Sequence, residues 1–186
     1  TILISDLEPG STVIVTEVRA KDGYVLDNVP QSIKIKAGET VTLEFRNQPK
    51  GQLIIVKKDS VTGEVLKGVT FRITTSTGEY VPDKNGQISS NGLYYTDANG
   101  QIILSGVNPG TYVVTEVATI DGYVLNSTSQ TVVVNPNDTQ TLTFYNDPMG
   151  GLQIIKKDEK TGERLCGVQF EVRKMNGEII GTYTTD

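Results

Sequence analysis

One spacing constrains this chain more than any other: the sequence repeats itself at an interval of 99 residues. Leu53, Ile55, Lys57 and Asp59 recur as Leu152, Ile154, Lys156 and Asp158, Thr62-Gly63-Glu64 as Thr161-Gly162-Glu163, and Phe71 as Phe170. The same interval links Glu17 to Glu116, Gly23-Tyr24 to Gly122-Tyr123, and Asn47 to Asn146. A fixed period of this kind marks a tandem array of one structural unit. The matches define one complete repeat at residues 50–148. Residues 1–49 correspond to the C-terminal part of a repeat, and residues 149–186 to the N-terminal part of a following one. The middle copy carries about ten extra residues around DKNGQISSNG, which read as a longer surface loop or hairpin.

Within each copy, Gly, Asn and Asp-Gly turn signals separate short runs rich in Val, Ile, Thr and Tyr. No long stretch has helical periodicity, so the chain reads as all-β and each repeat as a β-sandwich. Strands are expected at 2–7, 12–18, 32–36 and 40–47 in the first part. In the complete repeat they are expected at 52–58, 69–75, 78–81, 93–95, 101–104, 111–117, 122–125, 130–134 and 140–146. Asn47-Gln48-Pro49-Lys50-Gly51 and Asp147-Pro148-Met149-Gly150-Gly151 read as linkers, with proline stopping the ladder.

The strand phases expose a chemical oddity. Side chains alternate between two faces of a strand. In LIIVKKD, Leu53, Ile55 and Lys57 therefore share a face, and Lys58 falls on the other. In YVVTEV, Tyr112 and Val114 are in phase with Glu116, and in LTFYN, Leu142 and Phe144 are in phase with Asn146. Three apolar stripes thus end in a group that is costly to bury alone. Taken singly, each has an ordinary reading: a snorkelling lysine, a surface glutamate, a turn asparagine. Jointly, and with Glu17, Asn47 and Lys156 repeating them, they predict a buried triad. If the first and last strands are parallel and in register, Leu53 faces Leu142, Ile55 faces Phe144, and Lys57 lies beside Asn146. Antiparallel pairing would put the lysine beside Leu142 in the apolar layer.

The chemistry such a triad supports is covalent. Burial disfavours the charged ammonium and so lowers the Lys57 pKa. A neutral amine can attack the Asn146 side-chain carbonyl, while Glu116, protonated, hydrogen-bonds that carbonyl and shuttles a proton to the departing ammonia. The product is a neutral Lys–Asn isopeptide bond, and the fold supplies proximity. The partial copies provide Glu17 as a catalyst with Asn47 as its acceptor, and Lys156 as a nucleophile.

At these residues the sequence resembles the Cna protein B-type domain family, also described as SpaA-like or prealbumin-like. The stretches that carry the resemblance are VKKDSVTGEVLKGVTF, TDANGQIILSGVNPGTYVVTEVATIDGYVL and FYNDP, and it spans residues 50–148 and both partial copies. The resemblance implies a reversed-immunoglobulin-type β-sandwich in tandem repeats, building the stalks of Gram-positive surface adhesins and pilins. It also implies an intramolecular isopeptide bond, with the family's lysine on Lys57, its glutamate on Glu116 and its asparagine on Asn146. The Ala-Pro often found after the family's glutamate is Thr119-Ile120 here, and Ala20-Lys21 in the first copy. No Tyr-Pro-Lys-Asn motif of the pilin type occurs. The resemblance is therefore closer to an adhesin stalk, extracellular and anchored to the cell wall, than to a polymerised pilus backbone.

Composition narrows the alternatives. The net charge is −5 with no basic run, which argues against a nucleic-acid surface; there is no histidine, which removes the commonest general base and metal ligand; and one cysteine cannot form an internal disulfide. No apolar run approaches membrane-spanning length, and neither a signal peptide nor a sorting signal is found. Cys166-Gly167-Val168-Gln169 has thioester spacing, but Cys166 aligns with Lys67 and reads as a lone thiol. Asp97-x-Asn99-Gly100 and Asp83-x-Asn85-Gly86 resemble calcium loops but lack further ligands and read as turns. No cofactor-binding or metal-binding residue is assigned. The expected function is a structural stalk module that catalyses nothing beyond its own crosslink. Its expected partners are adjacent repeats, with neighbouring chains joining by complementation of half-domains, since parallel end strands put the halves at opposite ends of the middle repeat. The alternative is a ligand-binding adhesin module in which the loop 82–92, with Tyr80, Tyr94 and Tyr95 nearby, contacts a host surface ligand.

Overall fold

A computed structural model of the chain describes residues 1–82 and 91–186. The inserted loop at 82–92, including Asp83-x-Asn85-Gly86, falls mostly outside the described residues. The described chain holds eleven strands and no helix. It divides into two compact units, Thr1–Pro148 and Met149–Asp186.

In the first unit, β1 (Thr12–Val15) and β2 (Gln31–Lys34) form an antiparallel pair, and residues 51–146 form a two-sheet sandwich. One sheet has the order β6 (Gln101–Val107), β3 (Gly51–Asp59), β9 (Thr139–Asn146). The other has the order β5 (Leu93–Tyr95), β4 (Thr70–Thr75), β7 (Gly110–Ala118), β8 (Gln130–Val134). Both inner faces are built by strict alternation. Leu53, Ile55, Ile102, Leu104 and Phe144 from the first sheet pack against Val69, Phe71, Ile73, Tyr112, Val114 and Val134 from the second. Phe71 and Phe144 meet edge to face across the sandwich with ring centroids 4.9 Å apart. That aromatic pair lies directly under the polar end of the core, since Phe71 is the cross-strand neighbour of Glu116 and Phe144 that of Lys57.

The first and last strands of the repeat are parallel, as the stripes require, but their register is offset from the expected one. Leu53 lies opposite Gln140, Ile55 opposite Leu142, Lys57 opposite Phe144 and Asp59 opposite Asn146. An offset of two residues leaves every side chain on its original face. It also lets the long Lys57 side chain lean forward along the strand to Asn146, rather than compete with it for one position.

Turns hold the Lys57 strand in place. Gly100, with φ of +66°, ends the Asp97–Gly100 turn, where Asp97 Oδ1 accepts from the amides of Asn99 and Gln101. Its carbonyl accepts from the Lys57 amide at 2.8 Å, and a Cβ on Gly100 would come within 2.8 Å of the Lys57 carbonyl. At the end of β3 the buried Asp59 caps its own turn, accepting from the amides of Val61 (2.6 Å) and Thr62 (2.8 Å) and from the Tyr123 hydroxyl (2.9 Å). These donors, the Thr62 amide foremost, hold its carboxyl below the usual aspartate range.

Four expected strands are absent as ladders. Residues 2–7 and 40–47 form no paired strand, although 41–47 keep the alternation of half-buried and exposed side chains. In the complete repeat the counterpart of 40–47 is β9, whose ladder partner is β3. Residues 40–47 have no such neighbour among the described residues. Residues 78–81 and 122–125 contribute only isolated bridges, Thr74 with Tyr80 and Tyr123 with Pro148.

The second unit pairs β10 (Gln169–Arg173) with β11 (Ile179–Thr184). Its local structure copies the complete repeat. Asp158 accepts from the amides of Lys160 and Thr161, as Asp59 does from Val61 and Thr62. The Thr185 hydroxyl donates to the Leu165 carbonyl at 2.7 Å and accepts from the Val168 amide at 3.0 Å, repeating Thr96 with Leu66 and Val69.

Candidate functional site

The structure brings Lys57, Glu116 and Asn146 together in the core, with relative exposures of 0%, 0% and 1%. Lys57 and Asn146 come from the parallel pair β3 and β9, and Glu116 crosses from β7 of the facing sheet. Lys57 Nζ donates to Asn146 Oδ1 at 2.6 Å and lies 2.9 Å from Glu116 Oε2. Asn146 Nδ2 donates to Glu116 Oε1 at 2.5 Å. The three side chains thus form a closed ring of contacts, each touching the other two. Glu116 Oε2 accepts no hydrogen bond of regular geometry among the described residues, so its approach to Nζ is an ion-pair contact.

One expectation about this ring is corrected. Glu116 does not address the asparagine carbonyl; it addresses the amide nitrogen on one side and the lysine on the other. Donor and acceptor types dictate this. The carbonyl oxygen is occupied by the lysine N–H, and the amide N–H groups need an acceptor, which a carboxylate supplies. Burial pushes the Lys57 amine below its ordinary value of 10.5; the close contact and charge of Glu116, and the charge of Asp147, act in the opposite direction.

A fourth group completes the site. Asn146 Nδ2 also donates to Thr119 Oγ1 at 2.7 Å. Sequence reasoning noted Thr119 only as a departure from the family pattern. Its position three residues after Glu116, in the bend following β7, was the signal available.

The partial copies hold fragments of the same arrangement. Asn47 Nδ2 donates to Glu17 Oε1 at 2.6 Å, and Glu17 Oε2 accepts from the Asp27 amide at 3.1 Å. Both side chains are half-buried. Lys156, in the second unit, is exposed, as are Leu152 and Ile154, whose counterparts Leu53 and Ile55 are fully buried.

The other candidates separate. Tyr94 is buried with its hydroxyl on the Val81 carbonyl, whereas Tyr80 and Tyr95 are exposed. Cys166 is an exposed free thiol. Among the described residues no group of three or more His, Cys, Asp or Glu side chains is arranged to hold a metal ion. No described helix is long and apolar enough to cross a membrane.

An all-β sandwich whose parallel first and last strands enclose a buried Lys–Glu–Asn ring defines a class of repeat module. The chain belongs to the family described as the SpaA prealbumin-like fold domain, whose model matches residues 1–49, 51–148 and 150–186. Comparison with curated proteins gives no match. Among solved structures the chain is similar to the Bacillus anthracis TIE protein (22% identity, 95% of this chain and 33% of that one, TM-score 0.47). It is also similar to GBS52, the minor pilin of Streptococcus agalactiae (21%, 82% and 66%, 0.46). A third is the shaft pilin SpaA of Lactobacillus rhamnosus GG (22%, 76% and 66%, 0.47). The chain spans a third of the length of the first of these and just under two thirds of the two pilins.

Proposed function

We propose that this chain is part of a structural stalk of a bacterial cell-surface adhesin. On this reading residues 50–148 form one complete repeat, flanked by parts of two others. The repeat locks itself with a Lys57–Asn146 isopeptide bond that Glu116 promotes. The observation that carries the proposal is the ring of contacts: nucleophile, carbonyl-bearing acceptor and proton carrier lie within 2.9 Å of one another in a dry core. An extracellular, cell-wall-anchored setting follows from the family's association with such stalks.

The step balances without a cofactor. A proton moves from the Lys57 ammonium to the Glu116 carboxylate, leaving a neutral amine and a carboxylic acid. Nζ attacks Cγ of Asn146, and the carbonyl pair moves onto Oδ1. Glu116 then gives its proton to Nδ2 and takes one from Nζ. The pair on Oδ1 re-forms the carbonyl as the Cγ–Nδ2 bond breaks, and ammonia leaves. Nothing is oxidised or reduced, and the reaction occurs once per repeat. Intact mass tests it directly. The wild-type chain should lack one ammonia, about 17 Da, and Lys57→Ala should retain the full mass. Because the proton passes within the Lys57–Glu116 pair and is needed there to expel ammonia, the loss in a time course should slow once rising pH strips that proton through the lowered Lys57 pKa. A wild-type chain of unchanged mass would reject the bond.

A second reading concerns the partial copies. Glu17 and Asn47 are already joined at 2.6 Å, the same pairing as Glu116 with Asn146, and the segment bearing Lys156 leaves exposed the apolar residues that the complete repeat buries. Strand complementation between chains would put Lys156 of one beside Asn47 of another. Concentrated wild-type protein should then show a ladder of covalent species on denaturing gels that Lys156→Ala removes. An unchanged single band at all concentrations would count against it.

A further inference from the structure

Thr119 is the one group of the site that belongs neither to the three-residue pattern nor to the apolar core around it. We propose that Thr119 is a further residue of the crosslinking reaction: its hydroxyl fixes the orientation of the Asn146 amide and stabilises the nitrogen that departs. The proposal rests on the reading that the Lys57–Asn146 bond forms.

The orientation argument comes from counting donors and acceptors. A side-chain amide nitrogen has two N–H groups, and those of Asn146 go to Glu116 Oε1 at 2.5 Å and to Thr119 Oγ1 at 2.7 Å. Its oxygen accepts from Lys57 at 2.6 Å. Every polar group of the amide is matched. A flipped amide would aim N–H at an amine donor, and its oxygen at a carboxylate and a hydroxyl oxygen. With Glu116 alone on the nitrogen, one N–H would remain unmet in a buried site; Thr119 meets it. The reactive carbonyl is thereby held against the nucleophile.

The second part concerns charge. After attack, the proton that leaves Nζ arrives on Nδ2 by way of Glu116. Nδ2 then carries three hydrogens and a positive charge until the Cγ–Nδ2 bond breaks and ammonia departs. A hydrogen bond from a charged N–H to a hydroxyl oxygen is stronger than one from a neutral amide. Thr119 Oγ1 therefore holds the intermediate more tightly than the starting amide, which is the condition for accelerating the step. Thr119 is also half-buried, whereas Lys57, Glu116 and Asn146 are sealed. It marks the side of the site on which the nitrogen faces outward.

The chain contains its own contrast. The position equivalent to Thr119 in the first copy is Ala20, and there the Glu17–Asn47 bond persists at 2.6 Å without any hydroxyl. The hydroxyl is therefore not needed to bring glutamate and asparagine together, and its role lies in the orientation and departure of the amide.

The test is a rate measurement on the full chain. Protein made in a short cell-free pulse is quenched in guanidinium, refolded by dilution, and followed by intact mass. Thr119→Val, which keeps the shape and removes the hydroxyl, should slow ammonia loss about tenfold, and Thr119→Ser should stay within about twofold of wild type. Melting of each variant in a Lys57→Met background, where no bond can form, reports whether folding itself has changed. Equal rates for wild type, Val and Ser would overturn the role of Thr119 while leaving the bond intact. So would equal slowing of Val and Ser, because the hydroxyl would then not be the cause. A wild-type chain that never loses ammonia would instead overturn the bond.

Discussion

Replacing Glu116 by alanine should produce an unlinked chain of full mass and a steep loss of stability, through two separable effects. The first is the missing crosslink. Lys57 and Asn146 are 89 residues apart in sequence. By analogy with a disulfide closing a loop of that length, the bond restricts the unfolded chain by about 4–5 kcal/mol. The second acts within the folded state. Lys57 is fully buried, and its nearest anion is Glu116 Oε2 at 2.9 Å. Removing one partner of a buried ion pair costs about 3–5 kcal/mol, because the other charge is left without compensation. Exchanging both for apolar residues of similar size should be much milder. Urea unfolding of Glu116→Ala beside Lys57→Met/Glu116→Leu separates the terms: both lack the bond, and only the first strands a charge. If the single variant proved as stable as the double, Glu116 would not be the counter-ion of Lys57. Loss of ammonia from Glu116→Ala at the wild-type rate would show that it is not the proton carrier.

Much of this site was legible because strand period converts sequence position into a face. Lys57 and Lys58 are chemically identical neighbours, and phase alone separates a fully buried amine from a half-buried one. The same reasoning put Glu116 and Asn146 inward and made the end strands parallel. Phase is blind to any shift of two residues, however, so the register of β3 against β9 could not be read. The offset is decided by how far a lysine side chain reaches along the strand, not by which face it occupies. Pattern also says nothing about a lone hydroxyl in a bend, which is why Thr119 emerged only from distances. Residues 40–47 carry the alternation of a strand and lack the ladder, because a strand is completed by its neighbour. The direction of the Glu116 contacts likewise had to be seen, since a carboxylate can serve either end of an amide.

Pulling the complete repeat from its ends should give the largest mechanical difference between linked and unlinked protein. Because β3 and β9 are parallel, load applied before Gly51 and after Asn146 shears them in opposite directions along their shared ladder. With Lys57 joined to Asn146, force passes along β3 to Lys57, crosses the bond, and leaves through Asn146. The chain between them carries no tension, so β4 to β8 can neither be peeled away nor extended. Without the bond those 89 residue steps lengthen under force, at about 3.3–3.6 Å each, releasing roughly 300 Å of contour. Single-molecule extension of wild type should show no such step for the middle repeat, and Lys57→Ala should show one in every trace. A 300 Å release from wild-type protein whose mass confirms the crosslink would mean that the load enters elsewhere. The parallel end strands would then not be the force-bearing pair.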